Sequence, residues 1–306
     1  MPRGSYEQTF LPKYDFVIGV DEAGRGPLCG PVTTAAFCWY DYGTIQDYDW
    51  TGKINDSKQI KEDDREKLYD SIKDSSIDKK YSFDLYDCGA DEIDRINILA
   101  ATLESMKKAV YKVMTRIIDD HKDMCNIKMK VLVDGDKVPP GLEYMRGSSL
   151  FALPVQIQAV TVSAIIKGDA KVFSIGAASI VAKAHRDRVM RRYAVEYKGY
   201  DLETNKGYGT EFHRKAIAHI GPSFIHRLSF EPCYSCIATG TFSVPSGRNW
   251  LDVENLKTVT TVKENKRQPN QKVKKLPLKT RKPLPNKSHS GLANNKKNLR
   301  TKVNRY

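Results

Sequence analysis

The chain has 306 residues, 40% of them hydrophobic, and a net charge of +13, which allows one ordinary to large domain plus an appendage and excludes a chain too polar to build a core. The charge is unevenly placed: from Lys257 to Tyr306 there are 16 Lys and Arg against one acid, Glu264, a net of +15 that leaves −2 for residues 1–256. No apolar run approaches the roughly 20 residues needed to span a bilayer, and Met1–Glu7 lacks the apolar centre of a secretory signal, so a soluble, intracellular protein without membrane association is expected. The six cysteines are scattered, which fits reduced, mostly buried thiols better than a disulfide framework. Cys233-Tyr234-Ser235-Cys236 lacks the second ligand pair that a zinc site needs.

In chain order, Phe16–Val20 reads as a buried strand that runs into Asp21-Glu22-Ala23-Gly24-Arg25-Gly26-Pro27. A second strand spans Val32–Tyr40, rich in β-branched and aromatic residues, and residues 41–52 read as a loop. Lys61–Lys73 is expected to be a helix, Tyr81–Cys88 a third strand by its alternation, and Asp91–Asp119 one long amphipathic helix with Ile93, Ile96, Leu99, Leu103, Met106, Val110 and Val113 on one face. Lys128–Asp134 is a fourth strand ending in an acid, and a fifth lies within Val155–Lys167. Helices are expected over about Ala177–Tyr197 and Glu211–Ile220. This order suggests an α/β fold, a mixed sheet flanked by helices. From Ser243 the chain turns rich in Lys, Arg, Asn and Pro, a composition that cannot bury enough surface to fold alone. The division expected is therefore a catalytic domain over 1–242 and a disordered basic tail over 243–306.

Four carboxylates stand out. Asp21 and Glu22 close the first strand, Asp134 closes the fourth, and Asp169 lies in Ile165-Ile166-Lys167-Gly168-Asp169-Ala170-Lys171. Neighbouring carboxylates resist joint ionisation, and a hard divalent cation, which takes oxygen ligands, relieves that cost. If strands one and four are neighbours, their ends can point acids into one crevice, where two ions clamp an in-line displacement with no Ser or Cys nucleophile.

The string Asp21–Pro27 resembles the signature of type 2 ribonucleases H. Asn55-Asp56-Ser57-Lys58, the acid stretches around Asp134 and Asp169, the helix Ala178–Asp187, Lys206-Gly207-Tyr208-Gly209-Thr210-Glu211-Phe212-His213 and Gly221–Phe230 resemble the further motifs of ribonuclease HII, in the family's order over residues 15–233. The last two are closer to the single-chain bacterial form. The resemblance implies a ribonuclease H-like mixed five-stranded sheet with a helical C-terminal part. It implies an endoribonuclease that cuts the RNA strand of RNA–DNA hybrids and nicks on the 5′ side of ribonucleotides embedded in duplex DNA, leaving 3′-hydroxyl and 5′-phosphate ends. Asp21, Glu22, Asp134 and Asp169 would hold Mg2+ or Mn2+. Gly24, Arg25 and Gly26 would grip the ribonucleotide and its phosphate, and Tyr208 would pack on the sugar at the junction. Lys58, Lys183 and Arg186 are candidate phosphate contacts. His213 and His226 are read as structural histidines.

The chain departs from the family in two stretches, residues 40–52, which look somewhat expanded, and a longer one further on. Between Asp134 and Asp169 lie 34 residues, longer than usual, with the excess near Gly141–Ala164 and its tip at Arg146-Gly147-Ser148-Ser149. If the alignment is displaced there, Asp136 competes with Asp134 as a ligand. The tail, including Lys272–Pro283, is expected to hold nucleic acid without sequence preference, and it also fits a nuclear address if the host has a nucleus. Activity as a monomer is expected. The rival readings are a catalytically silent nucleic-acid-binding protein on the same fold, and a ribonuclease HIII-like enzyme acting only on long hybrids.

Overall fold

The computed structural model describes residues 4–54, 60–146 and 154–267. Its elements in order are α1 (Ser5–Gln8), β1 (Phe16–Ala23), β2 (Val32–Trp39), α2 (Glu62–Ser75), β3 (Tyr81–Cys88), α3 (Ala90–Ile96), α4 (Ile98–Asp120), β4 (Ile127–Asp134), β5 (Tyr144–Met145), β6 (Ile157–Ile165), α5 (Phe173–Glu196), α6 (Leu202–Asn205), α7 (Glu211–Ile220), α8 (Cys233–Ala238) and α9 (Trp250–Arg267). The strands form one sheet in the order β3-β2-β1-β4-β6-β5. β1 runs antiparallel to β2 and parallel to β4, and β4 runs parallel to β6.

Both faces of the sheet are covered, as parallel strands require. Alternation along β1 decides which side chain meets which helix. Phe16, Ile18 and Val20 pack with Met106, Val110, Val113 and Ile117 of α4. Val17 packs with Ile175 of α5 on the other face. Gly19 shares that face, and a Cβ there would lie 2.3 Å from the backbone of Ser174 and Ile175. Helix α5 therefore sits directly on the centre of the strand. In β4, Val131 and Val133 join the α4 side and Leu132 the α5 side. Asp21 and Asp134 consequently both fall on the α5 face, at the C-terminal ends of two hydrogen-bonded parallel strands. The register Val20↔Val133 places them side by side.

Several expectations change. The helix read as continuous over Asp91–Asp119 is two. Asn97 adopts a left-handed φ of 70°, ends α3, and accepts from the Ala100 N–H to cap α4, work that Asn does well because its short amide substitutes for backbone partners. The sheet has a sixth strand: the long stretch after Asp134 contributes the two-residue β5, paired antiparallel to β6 at the sheet edge. Third, the boundary expected at residue 242 lies later, because the compact unit runs Met1–Glu264. Arg248 forms a buried ion pair with Asp94, Val253 is fully buried, and Trp250 stacks on Tyr234 at 5.5 Å. These residues supply the apolar and paired polar surface that the averaged composition of the tail conceals. Residues 41–52, read as a loop, fall in two short 3-10 turns, Tyr42–Asp47 and Asp49–Lys53, that bury Tyr42, Ile45 and Trp50 against Trp39 and Tyr81. The described residues contain no helix long and apolar enough to cross a membrane.

A methyl group at position 19 has nowhere to go except into helix backbone. Gly19→Ala is expected to lower unfolding stability by about 1–3 kcal/mol or more, read from the midpoint of a denaturant titration. A midpoint equal to wild type would show that α5 does not rest on β1.

Candidate active site

The site is built where β1 runs out. Asp21 is 5% exposed; its Oδ1 accepts the Glu22 N–H at 2.7 Å, and the Ser179 hydroxyl of α5 also donates to it. Burial, then the charges of Glu22 and Asp134, hold its carboxyl well above the usual carboxylate range. Asp134 accepts the Gly168 N–H at 2.7 Å. That bond draws the 3-10 turn Gly168–Ala170, which carries Asp169, against the end of β4. The four acids expected from sequence thus come from three neighbouring pieces of backbone. Asp136, the possible competitor, is solvent-facing and paired with Lys137 at 3.2 Å, so the ligand candidate on β4 is Asp134.

Beside the acids opens a cleft of about 260 Å³ lined by Asp21, Glu22, Ala23, Gly24, Arg25, Gly26, Ser179, Lys183 and Tyr208. The Arg25 guanidinium is half exposed and approaches Glu22 at 3.5 Å, a weak surface pair that a phosphate can displace. Tyr208 is 45% exposed, an apolar ring offered to solvent at the cleft wall. Lys183 donates to Asp187 at 2.6 Å. Asp187 is itself buried and also bonds Arg65 at 3.1 Å. Burial pulls the Lys183 ammonium below the ordinary lysine value against the opposing pull of Asp187. Lys58 and its motif Asn55–Lys58 lie outside the described residues, as do 147–149 and the run 272–283.

Arg186 is a correction. It is 1% exposed, and its guanidinium donates to the carbonyls of Pro31 at 3.0 Å, Lys206 at 3.0 Å and Cys29 at 3.2 Å. It contacts the chain beneath the cleft and offers no donor to a phosphate in it. The reason is that α5 is covered on nearly all sides, so a cation on it can be carried inward when backbone carbonyls receive it. Gly24 is the consequence: its φ is +95°, and a Cβ there would fall 2.0 Å from Arg186 Nε.

Two residues of the site had no role in the sequence reading. Ser179 lies one turn before Lys183, a lone hydroxyl on an apolar helix face, and that contrast is a usable signal. Arg227 is fully buried. It donates to the carbonyls of Gly24 at 2.6 Å, Arg25 at 2.9 Å, Pro27 at 2.8 Å and Gly30 at 3.0 Å. Nothing in local composition marks it. Arg186 and Arg227 together set two buried positive charges under the glycine loop.

His213 and His226 are fully buried. Ser223 N–H donates to His226 Nδ1 at 3.0 Å. His226 Nε2–H therefore donates to His213 Nε2 at 3.1 Å, and His213 Nδ1–H donates to the Tyr208 carbonyl at 2.9 Å. Burial lowers both, His226 to about 3, so the pair is neutral at ordinary pH. With Cys29 these histidines are the tight trio of possible metal ligands among the described residues. Yet burial pushes the Cys29 thiol up to about 12, and the two Nε2 atoms are spent on each other. The trio is a hydrogen-bonded support for Tyr208, as the structural reading of these histidines expected.

The model of one protein family, ribonuclease HII, matches residues 18–233. The chain belongs to the ribonuclease HII family. A ribonuclease HII from Caldanaerobacter subterraneus subsp. tengcongensis is 40% identical over 216 residues, 71% of this chain and 74% of the relative. That from Endomicrobium trichonymphae is 37% identical over 77% of this chain and 93% of its own length. The solved structure of Bst-RNase HIII in complex with Mn2+ has a TM-score of 0.51 at 15% identity, covering 78% of this chain and 74% of that one, and shares the fold. The chain is therefore an endoribonuclease of the type 2 ribonuclease H class, with the expected ribonuclease H-like mixed sheet. Its family depends on a divalent metal and acts on RNA–DNA hybrids.

The residues present fit such a metal. The donors are all carboxylate oxygens, the set a hard cation takes, and Asp21 is held under a like-charge load that a cation removes. In the metal-free protein that load has a pH signature. The unfolded chain loses the Asp21 proton near pH 3.9, while the folded chain keeps it to higher pH, so stability falls as pH rises from about 4 through the raised folded value. Asp21→Asn abolishes the loss. In chelator at about pH 8 the variant is expected to unfold at higher denaturant than wild type, with the gap closing as pH drops toward about 4. A gap that is absent, or that widens in acid, would contradict the like-charge account.

Proposed function

We propose that this enzyme hydrolyses the phosphodiester on the 5′ side of a ribonucleotide within duplex DNA, as well as RNA strands of RNA–DNA hybrids, and leaves 3′-hydroxyl and 5′-phosphate ends. The observation that carries this is the meeting of Asp21 and Asp134 on one face of adjacent strand ends, beside a cleft that also holds Gly24, Arg25, Gly26 and Tyr208. Asp21, Glu22, Asp134 and Asp169 would hold Mg2+ or Mn2+, which when bound supplies activation of water and neutralises charge at the scissile phosphate.

The chain's own residues do the rest. The Gly24–Gly26 backbone lies close enough to the surface to read a 2′-hydroxyl, the group that separates RNA from DNA. Arg25 presents a planar fork to the adjacent phosphate, and the buried guanidiniums of Arg186 and Arg227 reinforce the positive potential under the loop. Tyr208 lays a flat face on the junction sugar. Ser179 holds the Asp21 carboxylate in place. Lys183 is close enough to the cleft to reach a phosphate if Asp187 releases it. Lys58 remains a candidate contact on its motif. The basic residues beyond the folded unit add nonspecific affinity for nucleic acid, weakening as salt rises. The enzyme works as a monomer, inside the cell where such substrates arise.

The test is a labelled DNA duplex with one embedded ribonucleotide, incubated with Mg2+, with Mn2+ and with chelator. Metal-dependent nicking just 5′ of the ribonucleotide is expected. Asp21→Asn should lower turnover by at least about 10³-fold, a loss on the scale of a main electrostatic contribution, with duplex binding largely kept. Wild-type turnover in that variant would remove Asp21 from the chemistry. Tyr208→Ala should cost about 5- to 100-fold in kcat/KM on the single ribonucleotide, the size of one stacking contact. A smaller effect there than on a plain hybrid would take Tyr208 out of junction reading.

A further inference from the structure

The family match ends at residue 233, but the compact unit continues to Glu264. Within that continuation Arg248 is carried into the body. Its side chain and that of Asp94 on α3 are each 2% exposed and form an ion pair. Nη2 of Arg248 faces Asp94, and Nη1 donates to the backbone carbonyls of Phe224 and His226, the latter at 2.6 Å. Asp94 takes the N–H groups of Leu228 at 2.8 Å and Ser229 at 2.9 Å. The short segment 224–229 is thus gripped on its carbonyl side by Arg248 and on its amide side by Asp94.

Both arms of the substrate cleft hang from that segment. Arg227 reaches from it to the carbonyls of the glycine loop. His226 reaches from it through His213 to the Tyr208 carbonyl. Its backbone also bonds the loop directly, Gly30 N–H to Ile225 O at 2.9 Å and Arg227 N–H to Leu28 O at 2.9 Å. A buried ion pair is a poor device for stability alone, since apolar residues of equal volume do as well or better. Its donors here are spent on the backbone that aims the cleft.

We propose that Arg248, in the segment beyond the family-matched span, is a positioning residue that sets the glycine loop and Tyr208 for a single embedded ribonucleotide. The inference rests on the reading of those two arms as the ribonucleotide grip. A long hybrid offers many registers and tolerates a loosened grip, whereas one ribonucleotide offers a single register and does not.

The test uses the full chain with Arg248→Lys and Arg248→Gln. The lysine variant keeps a charge for Asp94 but lacks the fork that serves Asp94 with one nitrogen and the two carbonyls with the other. It is expected to melt near wild type and to raise KM for the single-ribonucleotide duplex by about 10-fold, the size of one lost charged hydrogen bond. Its kcat should stay within about 2-fold of wild type and its KM for a long hybrid should change by less than about 3-fold, as expected when only substrate binding is weakened. Amide exchange at Gly30 and Arg227 should quicken in both variants while the β1 and β4 amides hold. An unchanged KM together with unchanged exchange overturns the proposal. So does equal damage to both substrates, or failure of both variants to fold, since either makes the segment a general stabiliser. If wild type cuts neither substrate, the reading of the cleft fails, and the exchange at Gly30 and Arg227 alone decides whether Arg248 sets the loop.

Discussion

The parallel pairing of β1 with β4 under α5 is the constraint on which the rest depends. It brings two carboxylates to the same face of neighbouring strand ends, and α5, seated on Gly19 without an intervening side chain, closes that face. Water is scarce there, so the acids feel each other strongly and Asp21 is pushed up. The fold stores this unfavourable contact at the end of β1, as functional sites commonly do, and a divalent cation held there would discharge it.

The second layer of the design is held by buried arginines. Arg186 and Arg227 donate to backbone carbonyls, nearly all of them within residues 24–31. An irregular, glycine-containing loop has few backbone partners of its own, so these two side chains take the place that a neighbouring strand would fill. The loop thereby becomes a supported surface that lines the cleft with Gly24, Arg25 and Gly26. The neutral histidine pair does the same for Tyr208 from below. The proposed reading of a single hydroxyl calls for support of this kind, because a misplacement of about 1 Å already costs such a site heavily.

Much of this was legible in the chain, and the misses have physical causes. Apolar runs that give way to acids marked the C-terminal parts of β1 and β4, because the apolar stretch is what the helices cover, although β1 itself continues through Asp21 and Glu22 to Ala23. Their adjacency could only be supposed, since strand order leaves no local trace. The break at Asn97 escaped because the apolar spacing continues across it from Ile93 and Ile96 into α4. Arg186 was read as a candidate phosphate contact because a one-dimensional pattern cannot show that α5 is enclosed. Arg227 and Arg248 were silent for the same reason. The folded part of the C-terminal stretch was hidden by averaging: Trp250 and Val253 anchor about twenty residues, which the lysine-rich remainder outweighs in composition.

The central claim is that the fold compresses Asp21 and Asp134 into a site for a divalent ion. Titrating the metal-free protein with Mn2+ and following free Mn2+ by electron paramagnetic resonance tests it without substrate or turnover. The account predicts saturable uptake by wild type that weakens by at least about 10-fold in Asp21→Asn and in Asp134→Asn, as loss of one charged ligand demands. Equal uptake by wild type and both variants would contradict it.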